Sequence, residues 1–542
     1  MASLNDSVPH AHPFRARPRT VRSKLRIGVF ADSCTQPRWI ADALARIAAS
    51  DFAEIVVLAL GGHAPAGAPL WQAYAHVDHW LFGSGDDPVR RVDIASLVRP
   101  ELRIALAPAE RAWRARIADL RLDVAFAIGE VDDASLEGLA RHGTWRHAFG
   151  EGQGAHPDLA AMREVLDESP VVASGIRIAR PCGERLGCRS WSRTVPFSLA
   201  RSRQRLFGKA GDHLALSLRR LYEDGEGWIE REAVPAPPRA AEHPPNVAES
   251  VRSIGRLGAR IARRTLETCF TVGQWSLAFR FTPHEPWDGS LEGFHRLVPP
   301  PDRFWADPFP LSRNGRHYIF FEELPFDSGK GHISVVEVDR EGRCGTPVRV
   351  LERDYHLSYP LLVEDDGALF MIPETANNRT IEIYRCEAFP DRWRREKVFL
   401  EGFFAADATV HRDRETGRWW MFANIGSDIA GGVDDELHLF HSPALLGEWT
   451  AHARNPVKSD VRSSRPAGCL FERDGALWRP GQICAPIYGS GIVLHRVTRL
   501  SPDEYAEEEA RRIVPRTVLG MHTINRCGDL SVTDAFERRR RF

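Results

Sequence analysis

Three carboxylic side chains lie at the ends of apolar segments in the C-terminal half of the sequence. Asp307 and Asp407 each lie just before an apolar run, and Glu374 lies just after one. Carboxyl groups gathered in one site raise one another's pKa, so one of them can keep its proton near neutral pH and act as a general acid. Arg465 could hold a carboxylate or a phosphate, because its planar guanidinium fits both anions. The alternative is structural, with each Asp accepting backbone N–H groups and joining neighbouring strands.

These residues belong to a pattern that recurs about every fifty residues, which is typical of β-propeller blades. Each copy has a polar opening, an apolar strand, a turn and a second apolar strand. The copies span 304–352, 355–401, 404–458 and 464–514. A strand at 274–281 is expected to complete a fifth blade together with a last segment at 520–525, because propellers often close the ring in this way and protect their sheet edges. This predicts five blades, with six as the alternative.

Inner strands of a propeller begin at one mouth of the channel, so residues at matching places in the blades converge there. The predicted catalytic residues are Asp307, Asp407 and Glu374. The predicted substrate-binding residues are Arg465, Glu323, His356, Tyr359 and His522. For His522 the structural alternative is the commoner one, since a single His is usually a hydrogen-bonded polar residue of the fold.

Two families resemble this half of the chain. The phrases around Asp307 and Asp407 resemble blade openings of glycoside hydrolase family 43 and its invertase relatives. The segments 304–309, 356–360, 372–375 and 488–508 resemble the N-terminal domain of plant glucosamine inositolphosphorylceramide transferase and its bacterial relatives. The glycosidase resemblance implies that Asp307 is a general base, that Asp407 tunes or orients it, and that Glu374 or Glu323 is the acid. Inverting enzymes of that kind separate two carboxyls by about 6.5–9.5 Å.

The N-terminal part alternates strands with helices, which is typical of an α/β domain with a mostly parallel sheet. The strands are 25–30, 54–60 and 122–128, and a helix is expected at 36–49. A Gly-aromatic-His loop at 143–150 resembles the formyltransferase fold, whose members use formyl-tetrahydrofolate.

The residues at the expected formyltransferase site depart from the family pattern. Arg146 stands where that family has an Asn, and His147 or His156 could serve as its His. The later loop at 180–187 has no Asp, and Glu184 is a weak substitute. Two interpretations stay open: an active enzyme, or a degenerate site on an inherited scaffold.

Composition excludes several classes of protein. The chain has 542 residues with a net charge of -1, which argues against a protein that coats nucleic acid. No run of eighteen apolar residues predicts a membrane span. Nine scattered cysteines without a C-x-x-C pair indicate reduced thiols, no zinc site and a cytoplasmic location.

Four regions are predicted: a disordered arm at 1–23, a formyltransferase-like α/β domain at 24–225, a linker with a basic connecting helix at 226–270, and a propeller at 271–536. The preferred function is a carbohydrate-active protein of intracellular glycan or glycoconjugate synthesis, with a sugar site in the propeller channel and no cofactor. One alternative is a sugar N-formyltransferase that uses formyl-tetrahydrofolate. The other is a non-catalytic scaffold for protein partners in glycan synthesis.

Overall fold

A computed structural model describes residues 23–61, 69–83, 87–97, 100–106, 112–150, 159–238, 246–284, 287–426 and 434–541. The chain forms two compact units, of which the first ends at Ala262 and the second begins at Arg263. The predicted arm, apart from Ser23, and the candidate His156 lie outside the described residues.

The first unit is a mixed α/β fold, as predicted. Its strands are β1 (Leu25–Ala31), β2 (Thr35–Pro37), β3 (Ala53–Leu60), β4 (Arg91–Asp93), β5 (Leu102–Ala105), β6 (Val124–Ile128), β7 (Thr144–Phe149), β8 (Val171–Arg180), β9 (Gly183–Arg193) and β10 (Val234–Pro235). Eight of them form one sheet in the order β10-β9-β8-β7-β6-β1-β3-β5, with β2 and β4 paired separately. The pairs from β5 to β7 are parallel, and those from β7 to β10 are antiparallel.

Helices cover this sheet because the parallel strands are apolar on both faces. The helices are α1 (Arg38–Ala48), α2 (Pro69–Phe82), α3 (Ala112–Ala118), α4 (Asp133–Leu136), α5 (Met162–Leu166), α6 (Leu199–Asp224) and α7 (Gly227–Glu232). Helix α1 buries Trp39, Leu44 and Ile47. Helix α8 (Val247–Phe270) contains the boundary between the units. No helix in the described part of the chain is long and apolar enough to cross a membrane.

The second unit is a five-bladed β-propeller, which confirms the predicted blade count. Its first strands are β11 (Thr271–Phe281), β12 (His295–Leu297), β13 (Arg303–Arg313), β14 (Arg316–Pro325), β15 (His332–Val338), β16 (Val348–Leu351), β17 (Ser358–Asp365), β18 (Ala368–Thr375), β19 (Thr380–Ala388) and β20 (Arg392–Glu401). The others are β21 (Ala405–Arg412), β22 (Trp419–Ile425), β23 (Glu436–Ser442), β24 (Thr450–Ala451), β25 (Lys458–Ser459), β26 (Phe471–Arg473), β27 (Ala476–Ile483), β28 (Gly491–Leu500), β29 (Tyr505–Ile513), β30 (Ile524–Cys527) and β31 (Leu530–Arg540).

The blades follow the chain, except for the last. Blades one to four are β13–β16, β17–β20, β21–β25 and β26–β29. Blade five has the order β30-β31-β11-β12, so two strands from each end of the unit make one sheet. The pairing of β11 with β31 is antiparallel and runs from Thr271 opposite Arg540 to Phe281 opposite Leu530. This pairing closes the ring.

The inner strands of the first three blades share one backbone irregularity. The pairing register shifts after Ala306, Ser358 and Ala406. The next residues, Asp307, Tyr359 and Asp407, have φ values of 52°, 47° and 52°. A non-glycine residue in this left-handed region costs about 1–3 kcal/mol, and a bulge of this kind changes the direction of a side chain. The left-handed backbone therefore turns one residue in each of these three blades towards the channel.

The ring closure gives the first testable prediction. Truncation after Asp529 removes β31 and leaves β11 without its partner. Because a folded domain is held by only about 5–15 kcal/mol, we expect the second unit of this variant not to fold. Circular dichroism and urea unfolding of the full-length and truncated chains would check this. Truncation after Arg540 is the matched control and should unfold like the full chain. A cooperative unfolding transition for the propeller truncated after Asp529 would contradict the prediction.

Candidate functional site

The second strands of the five blades place five polar residues at matching positions. Glu322 lies opposite Ala306, Glu374 opposite Ser358, and Asn424 opposite Ala406. In the fourth blade the amide of Gln482 donates to the carbonyl of Arg465. In the fifth blade Asp534 follows Thr533, which pairs with Ile524. We call Glu322, Glu374, Asn424, Gln482 and Asp534 the second-strand ring.

The facing residues lie in the first strand of each blade or just before it. Asp307, Tyr359 and Asp407 lie in β13, β17 and β21, whereas Arg465 and His522 precede β26 and β30. We call these five residues the first-strand ring. All five were predicted as site residues from the sequence. They are buried, and the two rings contact each other through hydrogen bonds and ion pairs that join different blades.

Arg465 is the centre of one cluster. Its Nε donates to Asp407 Oδ2 at 2.7 Å, and its second terminal nitrogen contacts Glu374 Oε2 at 3.1 Å. The other terminal nitrogen contacts Asp434 Oδ1 at 3.2 Å. Gln482 Nε2 also donates to Asp407 Oδ2, at 2.8 Å. One guanidinium therefore holds three carboxyl groups from two other blades.

Burial and Arg465 act in opposite directions on the pKa values of the nearby carboxyls. Burial raises the pKa of Glu374 well above its usual value, and the nearby Asp407 carboxylate adds to the shift while Arg465 opposes it. Burial also raises the pKa of Asp407, again against the effect of Arg465. The two carboxyls are hydrogen-bonded to each other, so they titrate as a pair and one proton is retained between them. A retained proton at a carboxyl is what a general acid needs.

Asp307, His522 and Asp534 form the second cluster. His522 Nε2 lies 3.1 Å from Asp307 Oδ1, and its Nδ1 lies 2.8 Å from Asp534 Oδ2. Burial would lower the pKa of His522, but the carboxylates of Asp534 and Asp307 outweigh it and raise that pKa well above its usual value. Burial would raise the pKa of Asp307, but the imidazolium charge and the hydrogen bonds from His522 and Thr523 hold it below its usual value.

The same three residues have the composition of a metal site, with ligand atoms within 4.8 Å of one another. A metal ion would bind one imidazole nitrogen, whereas Nε2 of His522 faces Asp307 and Nδ1 faces Asp534. The arrangement therefore fits an imidazolium between two carboxylates better than a metal centre.

Asp307 is fully occupied by protein contacts. The Thr523 hydroxyl donates to Oδ1 at 2.6 Å, and the Tyr359 amide donates to Oδ2 at 3.3 Å. Its side chain is only 5% exposed. Asp307 therefore joins the first, second and fifth blades, which supports the structural interpretation that the sequence left open.

A third contact lies beside these clusters. His356 Nδ1 accepts the Gly331 amide at 2.9 Å, and its Nε2 lies 3.3 Å from Glu322 Oε1. Burial raises the pKa of Glu322 well above its usual value, and the Asp307 carboxylate adds to this. Burial lowers the pKa of His356. Glu322 is thus a buried carboxylic acid that keeps its proton.

The structure does not bring Glu323, a predicted site residue, into either ring. Glu323 contacts Arg303 at 2.8 Å, Ser334 at 2.6 Å and His332 at 3.3 Å, away from both rings. Neighbouring residues of a strand point to opposite faces, so Glu322 and not Glu323 faces the channel. The repeat contained a signal, because Glu322 follows Asp307 by fifteen positions and Glu374 follows Tyr359 by the same number. Asp534, Gln482 and Asp434 were also missed.

Tyr359 belongs to the packing around the site. Its hydroxyl lies 2.8 Å from Thr409 Oγ1 and accepts the Gly468 amide at 2.8 Å. Its side chain is fully buried. It therefore links the second, third and fourth blades and does not reach a ligand.

Arg146 and His147 do not form a site. The Arg146 guanidinium donates to Asp133 and to the carbonyls of Gly129 and Val131. The His147 ring is enclosed by aromatic side chains, Trp39, Phe126 and Phe149. Burial lowers the pKa of His147 to about 3. The two side chains of β7 point to opposite faces, and each serves the packing of the first unit.

The solvent-accessible part of the propeller site is smaller than the rings. The exposed fractions of the Glu374, Asp434 and His356 side chains are 11%, 14% and 23%. Tyr488 is half-buried and lies beside them, with its ring 5.0 Å from the Arg465 guanidinium and 5.2 Å from the His522 ring. A ligand would meet a carboxylic acid, a carboxylate, an imidazole and an aromatic face.

A second prediction concerns His522. The substitution His522→Gln leaves Asp307 and Asp534 buried without the cation between them, which should cost about 3–5 kcal/mol in the free energy of unfolding. Urea unfolding would measure this. The exposed His284 on a propeller loop offers the control His284→Gln, which should leave the free energy of unfolding unchanged. Adding Asp534→Asn to His522→Gln should recover part of the loss, and no recovery would contradict the ion-pair account.

A third prediction concerns Glu322. Since its pKa is raised in the folded protein, the folded state keeps a proton that the unfolded chain releases above about pH 4.5. Stability is therefore lost as the pH rises towards the folded pKa, by up to about 1.4 kcal/mol per pH unit. Glu322→Gln should remove this loss, so its stability relative to wild type should rise as the pH increases from about 4.5 towards the folded pKa. Urea unfolding across that range would check this, with the exposed Glu364→Gln as control. A difference in unfolding free energy between Glu322→Gln and wild type that stays constant with pH would overturn the assignment of the proton to Glu322.

Known proteins match the propeller. The model of the N-terminal region of glucosamine inositolphosphorylceramide transferase 1 matches residues 297–528. The protein of that name from Oryza sativa subsp. japonica is 31% identical over 210 residues, which is 38% of this chain and 28% of the relative. The Arabidopsis thaliana protein is 31% identical over 212 residues, which is 39% of this chain and 27% of the relative. The chain spans little more than a quarter of the length of these relatives.

Solved structures of glycosidases match more distantly. A family 117 glycoside hydrolase from Zobellia galactanivorans has a TM-score of 0.32 and 10% identity, covering 49% of this chain and 90% of its own. The GH43_1 enzyme from Xanthomonas citri with xylose has a TM-score of 0.33 and 11% identity, covering 44% of this chain and 87% of its own. Through residues 297–528, the chain is similar to the N-terminal region of glucosamine inositolphosphorylceramide transferase 1.

Proposed function

We propose that the propeller binds the sugar part of a glycoconjugate at the mouth of its channel and acts in glycoconjugate synthesis or modification. The observation that carries the proposal is Glu374, a partly exposed carboxyl with a raised pKa, held by Arg465 beside Asp407. Sugar hydroxyls need donors and acceptors close together, and this mouth offers both. The half-buried Tyr488 ring supplies an apolar surface for the C–H face of a sugar.

The chemistry of the mouth favours proton donation. Glu374 would give its proton, or a hydrogen bond, to an oxygen of the bound sugar, as a general acid does. Arg465 would stabilise the carboxylate that remains, since it already contacts Glu374. Asp434 is the candidate base, because it is partly exposed and bound to the same guanidinium. Asp307, which the glycosidase resemblance suggested as base, is proposed to position His522 and Tyr359.

The relatives support the substrate class. Their name refers to a transferase, a glucosamine and an inositolphosphorylceramide. By analogy we propose a hexosamine, or the headgroup of a glycolipid, as the ligand. Catalysis of the transfer by this chain, and its cytoplasmic location, are part of the proposal. The N-formyltransferase alternative has no support from Arg146 or His147, which are committed to packing.

The test is ligand-dependent thermal stability. D-glucosamine, N-acetylglucosamine, UDP-N-acetylglucosamine and myo-inositol phosphate would each be titrated into the full chain. A ligand at one hundred times its dissociation constant should stabilise the folded protein by about 2.7 kcal/mol. Glu374→Gln should remove most of this stabilisation, because the amide cannot donate the same proton or pair with Arg465.

The control for that experiment is Glu364→Gln. Glu364 is an exposed residue of β17, one strand away from Glu374, and its substitution should leave ligand stabilisation unchanged. If a ligand stabilised wild type and both variants, Glu374→Gln and Glu364→Gln, to the same extent, the channel mouth would be excluded as the binding site.

A further inference from the structure

Exposed apolar side chains are concentrated on two helices. Among the described residues, fourteen large hydrophobic side chains are exposed, and eight of them lie on α2 or α8. Helix α2 lies wholly within the first unit. Its exposed members are Leu70 at 43%, Val77 at 54%, Trp80 at 81% and Leu81 at 53%. Such a concentration on a helix of fourteen residues indicates a surface that another body covers.

The apolar residues of α2 share one face of the helix. At 100° per residue, Trp80, Val77, Leu70 and Leu81 fall within an arc of about 100°. The opposite face is buried and fixed. Asp78 Oδ2 accepts the Ala200 amide at 2.6 Å, and Trp71 is 5% exposed. Asp78 anchors α2 to the start of α6. The helix itself therefore sets the outward orientation of the apolar face, which does not depend on a mobile side chain.

A basic cavity of about 340 Å³ lies along the next face of α2. Its wall includes His76, His79, Arg90, Arg91 and Arg203. Arg203 is 8% exposed and is held by the Ala160 carbonyl at 3.1 Å, whereas Arg90 and Arg91 are exposed.

The acidic residues of the cavity wall have partners in the protein. Asp87 lies 3.5 Å from His79, and Asp78 accepts hydrogen bonds from Ser198 and Ala200 at the start of α6. The wall carries three arginines, Arg90, Arg91 and Arg203, against two carboxyls, so its formal charge is positive and complementary to a phosphate.

We propose that α2 docks the first unit on a bilayer that contains anionic phospholipids. Leu70, Val77, Trp80 and Leu81 enter the interface, and a headgroup phosphate occupies the basic cavity. Trp is the side chain that most favours the headgroup level of a bilayer, and an apolar helix face inserts about 5–10 Å there. The adjoining arginines attract the anionic surface. This inference is independent of the sugar site in the second unit.

The experiment is flotation of the full chain with vesicles of phosphatidylcholine alone, or with about one quarter phosphatidylglycerol. We expect binding to the anionic vesicles and little to the neutral ones. Trp80→Ser with Leu81→Ser should lower the partition coefficient by at least about tenfold. Arg90→Gln with Arg91→Gln should lower binding to anionic vesicles by about tenfold and make it less sensitive to salt.

A control variant tests whether vesicle binding depends on α2 in particular. Val514 and Leu519 of the propeller are 54% and 51% exposed, so Val514→Ser with Leu519→Ser removes exposed apolar side chains elsewhere. This variant should bind vesicles like wild type. Thermal unfolding of each variant would confirm that the first unit is folded.

Three outcomes would overturn the proposal. In the first, the Trp80 and Leu81 variant binds vesicles as well as the propeller control does. In the second, wild type does not bind vesicles but forms a dimer, and the Trp80 and Leu81 variant does not form it. This would assign the apolar face of α2 to a second copy of the chain. In the third, glycerol phosphate stabilises wild type and the Trp80 variant equally while vesicles do not bind, which would make the cavity a site for a free phosphate ester.

Discussion

The ion pairs of Arg465 are the interaction on which the propeller site depends. Arg465 comes from the fourth blade and binds Asp407 and Asp434 of the third blade and Glu374 of the second. A buried charge is tolerated only when it is paired, so removing this guanidinium would leave several carboxyls uncompensated. Its position also decides which carboxyls ionise. Arg465 favours the charged form of Asp407 and Glu374, burial opposes it, and the balance leaves a proton on the pair.

The two rings explain why so many polar groups can be buried at one place. Each blade supplies one residue at or just before its first strand and one from its second, and many of their partners come from other blades. Asp307 contacts a residue 216 positions away, and its own amide donates to Asp534, 227 positions away. The left-handed backbone at Asp307, Tyr359 and Asp407 is the local cost of this arrangement. The hydrogen bonds and ion pairs between blades offset that cost and fix the blades in register.

The sequence was sufficient for the architecture and for half of the site. Periodicity and the repeat spacing predicted the α/β unit, the five blades and the closing strand, because these follow from local patterns. The first-strand ring was also predicted, since its residues open each repeat. Glu323 was chosen in place of Glu322 because a one-residue difference in register reverses the face of a strand. Asp534 and Asp434 were missed because neither opens a repeat. His147 misled because a short motif does not reveal that a side chain is enclosed by Trp39 and Phe149.

The mixed origin of the fifth blade links synthesis of the chain to assembly of the site. Strand β11 emerges from the ribosome long before β31, whose paired residues lie 249 to 269 positions further along the chain. Until β31 is made, β11 has an open edge that could pair with another chain. His522 and Asp534 lie in the same late segment, so the Asp307 cluster cannot form earlier. A nascent or prematurely ended chain would thus carry an exposed strand and lack the Asp307 cluster, and it would be a natural substrate for chaperones.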